Sequence, residues 1–304
     1  MTSGSKILIS GSSGLVGQAL SDSLSSAGHI VYKLVRRKPS LNEFSWNAKD
    51  QIDLPSNTQL DAVIHLSGEN VAAKRWSKHI KQRIYDSRIL STRLLVESMV
   101  ALDNPPPTFI CASAVGIYGD QKDNVLSETA TEEFDARGFL YSVAKDWELE
   151  AQRYSELVDS ARTVNARIGI VLSPLGGALE KMLPVFKTGM GGPLGNGKQY
   201  MSWISLTDLI NAFKFCLDNP AAQGPFNFCS PAPMTNAAFT KVLGNFLHRP
   251  AVIPAPAFGL KLALGQMAEE LLLSSVRAIP KNLQSIGFEF QHNNLESALE
   301  AEVT

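Results

Sequence analysis

Apolar residues along this chain gather in short blocks of two kinds, and the two kinds alternate. Lys6 to Ser10 (KILIS) is a compact apolar run; after a glycine-rich break, Leu15, Val16, Ala19, Leu20 and Leu24 recur at helical spacing. The pattern predicts strand, loop, helix. Gly28 closes the helix and His29 to Val35 (HIVYKLV) reads as a second strand, which completes a βαβ unit of ordinary size. Ala62 to Leu66 (AVIHL), Thr108 to Ala112 (TFICA) and Thr163 to Ile168 (TVNARI) are further short apolar runs, with helical patterns over 78–102 and 139–158 between them. Strands alternating with helices of this length predict an α/β fold, an open, doubly wound parallel sheet covered on both faces. Past residue 170 the texture changes, to the glycine-rich GMGGPLGNG at 189–197, the proline-bearing PAPAF at 254–258, and then a helical run to about 274. Residues 1–170, completed by part of 200–230, are therefore expected to form the sheet domain. Residues 171–304 are expected to supply mainly a smaller α+β lobe facing a substrate, interleaved with the last strands.

Composition narrows the class. With 304 residues, 44% hydrophobic and 19% charged, the chain suits a globular α/β protein, and no apolar run is long enough for a membrane helix. The net charge of -1 and the scatter of basic residues, with Arg36, Arg37 and Lys38 as the main cluster, argue against a nucleic-acid partner. Cys111, Cys216 and Cys229 lie far apart in apolar stretches, as buried thiols of a reducing compartment would. The amino-terminal apolar stretch is shorter than a signal peptide requires, so a cytoplasmic location is expected. The five histidines are dispersed without ligand spacing, and no metal site is expected. No GxSxG elbow or Cys/His nucleophile pattern is present.

Ser10-Gly11-Ser12-Ser13-Gly14-Leu15-Val16-Gly17 sets glycines three apart between a predicted strand and a predicted helix. Gly11 permits the sharp turn, Gly14 lets backbone approach a pyrophosphate, and Gly17 lets the helix pack on the sheet. The stretch from Ser13 through Gly14 and Leu15 to Val16 places main-chain N–H groups at the positive end of the helix, where an anion binds. Set within a βαβ unit, this is the fingerprint of a Rossmann-type dinucleotide site. The second strand ends at Val35, and where an acidic residue would hold the ribose of NAD stands Arg36, followed by Arg37. Cations there suit a 2′-phosphate, so NADP(H) is the expected coenzyme; the alternative is a solvated basic loop.

The glycine turn, HLSG (His65 to Gly68), ASAVGIYG (Ala112 to Gly119) and Tyr141-x-x-x-Lys145 occur in an order that resembles the extended short-chain dehydrogenase/reductase superfamily. SGENVAAKRW (67–76), SRILSTRLL (87–95), DWE (146–148), RIGIVLSPLGGAL (167–179), GMGGPLGNGKQYMSWISLTDL (189–209) and LLLSSVRAIPKNLQSIGFEF (271–290) look like its atypical, sugar-nucleotide epimerase-like branch, across nearly the whole chain. That branch is also labelled as a cell-division inhibitor homologue.

The resemblance implies roles. Tyr141 and Lys145, four apart in a helical pattern, share one face; the superfamily uses such a pair as acid/base, with the ammonium favouring the phenolate and holding the nicotinamide ribose. Ala114 stands where the superfamily usually carries a catalytic Ser or Thr, and the neighbouring hydroxyl is Ser113. Leu66, Ser67 and Gly68 would pass the adenosine half of the coenzyme. Arg88 would reach a coenzyme phosphate or pair with a surface acid such as Asp86. Glu69 and Asn70 would border the nicotinamide and substrate, with a cap as the alternative for Asn70. Gln199, Ser202 and Trp203 would cover the ligand, or Trp203 would pack in the interdomain core. Ser205 and Asp208 have the spacing of a helix capping box, and Arg167 and Arg249 are candidates for a diphosphate or carboxylate. Two functions follow: an NADP(H)-dependent oxidoreductase or epimerase acting on a small molecule, with a nucleotide sugar as one candidate, or an NADP(H)-binding regulatory or interaction protein with little turnover.

Overall fold

The computed structural model of the chain describes residues 4–47, 51–133 and 136–303. The first half runs β1 (Lys6–Ser10), α1 (Leu15–Ser26), β2 (Ile30–Val35), β3 (Glu43–Asn47), β4 (Gln51–Ile52), β5 (Ala62–His65), α2 (Lys78–Val100), β6 (Thr108–Ala114), β7 (Val125–Leu126), α3 (Ala130–Glu133) and α4 (Phe139–Leu157). The second half runs β8 (Arg162–Ile168), β9 (Ile170–Leu172), α5 (Gly177–Lys187), β10 (Tyr200–Met201), β11 (Trp203–Ser205), α6 (Leu206–Asp218), β12 (Gly224–Phe228), β13 (Met234–Thr235), α7 (Asn236–Phe246), α8 (Ala257–Leu264), β14 (Arg277–Ala278), α9 (Lys281–Ser285) and α10 (Leu295–Val303).

Eight strands form one sheet in the order β12-β8-β6-β5-β1-β2-β3-β4. All pair in parallel except β3 with β4. Side chains alternate between faces along a strand. Ile7 and Ile9 of β1 accordingly join Ile64, Phe213 and Phe228 under α1 and α6, while Leu8 joins Val63, Phe109, Trp147 and Tyr154 under α2 and α4. Burial on both faces is why these strands read as unbroken apolar runs. β1 has β2 on one side and β5 on the other, so the strand order reverses between β1 and β5. A crevice opens outside the carboxyl ends of parallel strands at such a reversal.

The helix starts are set locally and from afar. Ser77 Oγ accepts the Ile80 N–H at 3.2 Å, and Ser205 Oγ accepts the Asp208 N–H at 3.0 Å. The Asp208 carboxylate does not complete a reciprocal capping box; it accepts the N–H groups of Gln291 and His292 at 2.8 and 3.0 Å and ties down the segment before α10. α4 begins at Gly138 without a side-chain cap of its own, and Glu270 supplies one by accepting the N–H groups of Phe139 and Leu140 at 3.1 and 2.8 Å.

The short pairs β10–β13, β9–β11 and β7–β14 lie outside the main sheet, and β7–β14 joins the first half of the chain to its end. The helical run expected to about 274 is broken: α8 stops at Leu264 because Gly265 turns left-handed at φ 63°, and a wide helical turn resumes over Ala268–Leu272. Among the described residues no helix is long and apolar enough to cross a membrane, and no group of three or more His, Cys, Asp or Glu could hold a metal ion. Cys111, Cys216 and Cys229 are buried free thiols.

Candidate functional site

The glycine turn sits at the β1/β5 reversal. Gly11 has φ 72°, and a Cβ there would lie 2.7 Å from the Leu66 carbonyl carbon. At Gly17 a Cβ would fall 2.2 Å from the Gly11 oxygen, so α1 can press against the turn only if both positions lack side chains. The Gly14 N–H folds back to Gly11 O at 3.1 Å, and Gln18 makes the first bond to Gly14 O at 2.9 Å. The amides of Leu15, Val16 and Gly17 therefore precede any intrahelical acceptor, and Ser13 and Gly14 are exposed beside them. These donors at the positive end of α1 form a cradle open to an anion.

No local pattern in the sequence announces the neighbouring clamp. His65, at the end of β5 and in register with Ser10, shares a hydrogen bond of 2.6 Å between its Nδ1 and Ser10 Oγ. The Leu66 N–H donates to Ser10 O and Oγ at 3.1 and 3.2 Å. Burial, and then the charge of Arg88, lower the His65 pKa to about 3, which leaves the ring neutral. The polar pair on adjacent strand ends is visible in the sequence only once the register is known.

Arg88 lies beneath Gly68: a Cβ on that glycine would meet the guanidinium carbon at 2.8 Å. It donates to the carbonyls of Glu69 and Ile84 at 3.0 and 3.2 Å and covers the Trp147 ring at 5.1 Å. Asp86 is not its partner, since that carboxylate takes Gln82 Nε2 at 2.7 Å, and the Glu69 carboxylate takes Arg83 at 2.8 Å. Burial lowers the Arg88 pKa to about 10, so it stays charged at neutral pH while bonded only to neutral acceptors. A cation so placed attracts an anion at the loop above it.

The two cations at the end of β2 differ from each other. Arg36 is exposed, with no side-chain partner among the described residues. Arg37, expected to meet a phosphate, instead closes a two-pronged ion pair on Glu43, at 2.7 and 2.6 Å, because that carboxylate begins the adjacent β3. The Arg37 bonds, followed by those of Ser40, hold Glu43 down to a pKa of about 2.

On α4, Tyr141 is half-buried and Lys145 exposed, with the Lys145 Nζ 5.8 Å from the Tyr141 ring centre. Ser113 does not stand in for the missing hydroxyl at Ala114. Its Oγ donates to Glu148 Oε1 at 2.7 Å, and it is 3% exposed, because neighbouring strand residues face opposite sides. Glu148 in turn binds Arg167 through two bonds of 2.8 Å, and Arg167 reaches the Tyr118 hydroxyl at 3.0 Å and the Glu128 carbonyl at 2.9 Å. Burial opposes the Arg167 charge, but the Glu148 carboxylate outweighs it and raises the pKa.

The expected ligand cover is part of the interior. Trp203 is fully buried beside Leu172, Phe186 and Phe239, and its Nε1 donates to Ala232 O at 3.0 Å, so its ring offers no stacking face. Gln199 gives its amide to the carbonyls of Leu194 and Leu272, both at 3.0 Å, and pins the glycine-rich loop. Ser202 Oγ donates to Val276 O at 2.8 Å. Asn70 caps its own turn, accepting the Ala72 N–H at 2.9 Å, and Arg249 donates to Lys187 O at 3.0 Å. Glu69, Leu66, Ser67 and Gly68 remain along the rim of the crevice, half-buried or exposed.

Residues 7–229 match the NAD dependent epimerase/dehydratase family, and residues 255–302 match a Domain of unknown function (DUF1731). An Epimerase family protein of Mycobacterium tuberculosis is 43% identical over 295 residues, covering 96% of each chain. The crystal structure of human epimerase family protein SDR39U1 (isoform2) with NADPH superposes with a TM-score of 0.88 at 29% identity, over 98% of both chains. The nucleoside-diphosphate sugar epimerase from Corynebacterium glutamicum gives a TM-score of 0.79 at 32% identity, over 99% of this chain and 58% of that one.

Proposed function

Since this chain belongs to the NAD dependent epimerase/dehydratase family, we propose that it is an NADP(H)-dependent oxidoreductase or epimerase acting on a carbonyl or secondary alcohol, with Tyr141 as acid/base and Lys145 as its electrostatic partner. The observation that carries the reading is the side-chain-free cradle of Gly11, Gly14 and Gly17 at the sheet reversal, flanked by the exposed cation Arg36. The main-chain donors of Ser13, Leu15 and Val16 hold the pyrophosphate over Gly14, whose missing side chain gives it room, Arg36 meets the 2′-phosphate, and Leu66, Ser67 and Gly68 give the adenosine half close passage. Arg88 adds positive charge beneath that loop. When bound, the nicotinamide ring supplies or accepts hydride. Tyr141 exchanges the accompanying proton with the substrate oxygen, and the Lys145 ammonium stabilises the phenolate form. Glu69 borders the substrate, for which a nucleotide sugar is the favoured class given the C. glutamicum relative. In this reading residues 1–170, with part of 200–230, hold the coenzyme, and 171–304 face the substrate.

A second reading, an NADP(H)-binding regulatory protein with little turnover, is favoured by Ala114 and by the commitment of Ser113 to Glu148. Calorimetry with NADPH and NADH, followed by turnover assays on nucleotide sugars and carbonyl compounds, separates the two. The enzyme reading expects Tyr141→Phe to lower turnover about 10²–10⁴-fold with NADPH affinity unchanged. Turnover indifferent to that substitution removes Tyr141 from the mechanism, and coenzyme binding with no turnover across the panel supports the regulatory reading.

A further inference from the structure

Arg36 and Arg37 leave β2 as neighbours in sequence, yet among the described residues only Arg37 has a side-chain partner. The Glu43 carboxylate accepts four bonds: from Arg37 Nη1 and Nη2 at 2.7 and 2.6 Å, and from the Ser40 N–H and Oγ at 2.8 and 2.6 Å. Three of the four converge on Oε2 and one on Oε1, so the carboxylate is heavily engaged, and the Arg37 bonds use the fork by which an arginine grips an oxyanion. The loop carrying them is itself fixed. The Glu43 N–H donates to Ser40 O at 3.2 Å, and Asn42, at φ 60°, accepts the Lys33 N–H through its carbonyl at 3.0 Å. The Glu43 side chain is 9% exposed against 63% for Arg37, so the acid is the inner partner and the arginine covers it.

Resting on the coenzyme reading above, we infer that Arg37 and Glu43 act as one positioning unit: Arg37 neutralises a carboxylate next to the 2′-phosphate position, and Arg36 alone makes the contact that selects NADP(H). The physical reason is charge balance. A bare carboxylate in the loop that receives a doubly charged phosphate repels it, and solvent screening at a protein surface weakens that repulsion without abolishing it. Arg37 thus matters to phosphate recognition without touching the phosphate, and its removal is repairable by removing the charge it covers.

Calorimetry on the full chain with NADPH and NADH tests this. Arg36→Gln is expected to weaken NADPH by roughly ten- to a hundredfold, the worth of one charge-assisted phosphate contact, and to leave NADH unchanged. Arg37→Gln is expected to weaken NADPH about tenfold, again sparing NADH. The double variant Arg37→Gln with Glu43→Gln should return NADPH to within about threefold of wild type. NADH affinity reports whether the loop and the cradle are still formed. A double variant as weak as Arg37→Gln overturns the inference, because Arg37 then touches the phosphate itself; so does an Arg37→Gln protein that binds NADPH normally, or one that loses both coenzymes equally. Failure of the underlying coenzyme reading looks different, as it leaves the wild-type protein without heat from either dinucleotide.

Discussion

Single residues around the cradle carry measurable consequences because their surroundings have no slack. A Cβ at Gly17 would enter the Gly11 carbonyl oxygen at 2.2 Å, so Gly17→Ala must push α1 away from the glycine turn. Overpacking of this kind costs about 1–3 kcal/mol; the expected result is a lower thermal midpoint together with lost NADPH binding, and unchanged affinity would remove the turn from the coenzyme site. His65 bears on pH. Its folded pKa of about 3 lies below the ordinary 6.5, so between those values the unfolded chain takes up a proton that the folded chain refuses. This contribution is fully present above pH 6.5 and declines as pH falls toward 3, by about 1.4 kcal/mol per unit once the unfolded imidazole is charged. Urea midpoints should therefore fall between pH 6.5 and 5, before most carboxylates titrate, and His65→Asn should flatten that slope. An equally steep fall in the variant would assign the effect elsewhere.

At the level of elements, α4 is located by two acids that no helix pattern announces. Glu148 locks it to β8 through Arg167, whose side chain is 4% exposed, and Glu270 caps its start from far along the chain. Removing one member of a buried ion pair strands the other, at a cost of about 3–5 kcal/mol, whereas replacing both with apolar groups costs far less. Arg167→Met is therefore expected to lower the urea midpoint strongly, and Arg167→Met with Glu148→Leu to recover most of the loss; no recovery would show that the hydrogen bonds to Tyr118 and Glu128 matter more than the pairing. Glu270→Ala should cost about 0.5–2 kcal/mol, as loss of a helix cap does, read by the same denaturation. Both acids also bear on Tyr141 and Lys145, because the helix they hold is the one that presents that pair.

For the whole molecule, the carboxy-terminal segment is stitched into the sheet and does not hang from it. β14 pairs with β7, the Asn227 amide donates to the carbonyls of Leu126 and Ile279 at 3.3 and 2.9 Å, and the Asn282 N–H donates to Glu128 Oε1 at 3.1 Å. Ser202 Oγ joins the same seam, donating to Val276 O and accepting the Ala278 N–H at 2.8 and 2.9 Å. Loss of any one layer exposes the buried groups of the next. Tryptophan fluorescence and far-ultraviolet circular dichroism should consequently report one coincident unfolding transition. Two separated transitions would show that the segment matched by the domain of unknown function folds on its own.

The alternating α/β sheet, the βαβ start and the glycine cradle are legible in the amino-acid sequence. Those depend on periodicity and on steric demands confined to a few neighbouring residues: Lys6–Ser10 and Leu15–Ser26 announce themselves, and Gly11 and Gly17 are obligatory within one turn. The sequence concealed β3, whose EFSWN stretch does not stand out as an apolar run, and it left β12 without bounds inside the 200–230 part expected to complete the sheet. The partners of the polar and aromatic side chains, by contrast, are settled by the folded arrangement. Arg37 turned to Glu43, Ser113 to Glu148, Gln199 to Leu272 and Trp203 to Ala232. A hydrogen-bonding group takes whichever partner folding brings within about 3 Å, and in most of these pairs that partner arrives from another element, which no local pattern can specify.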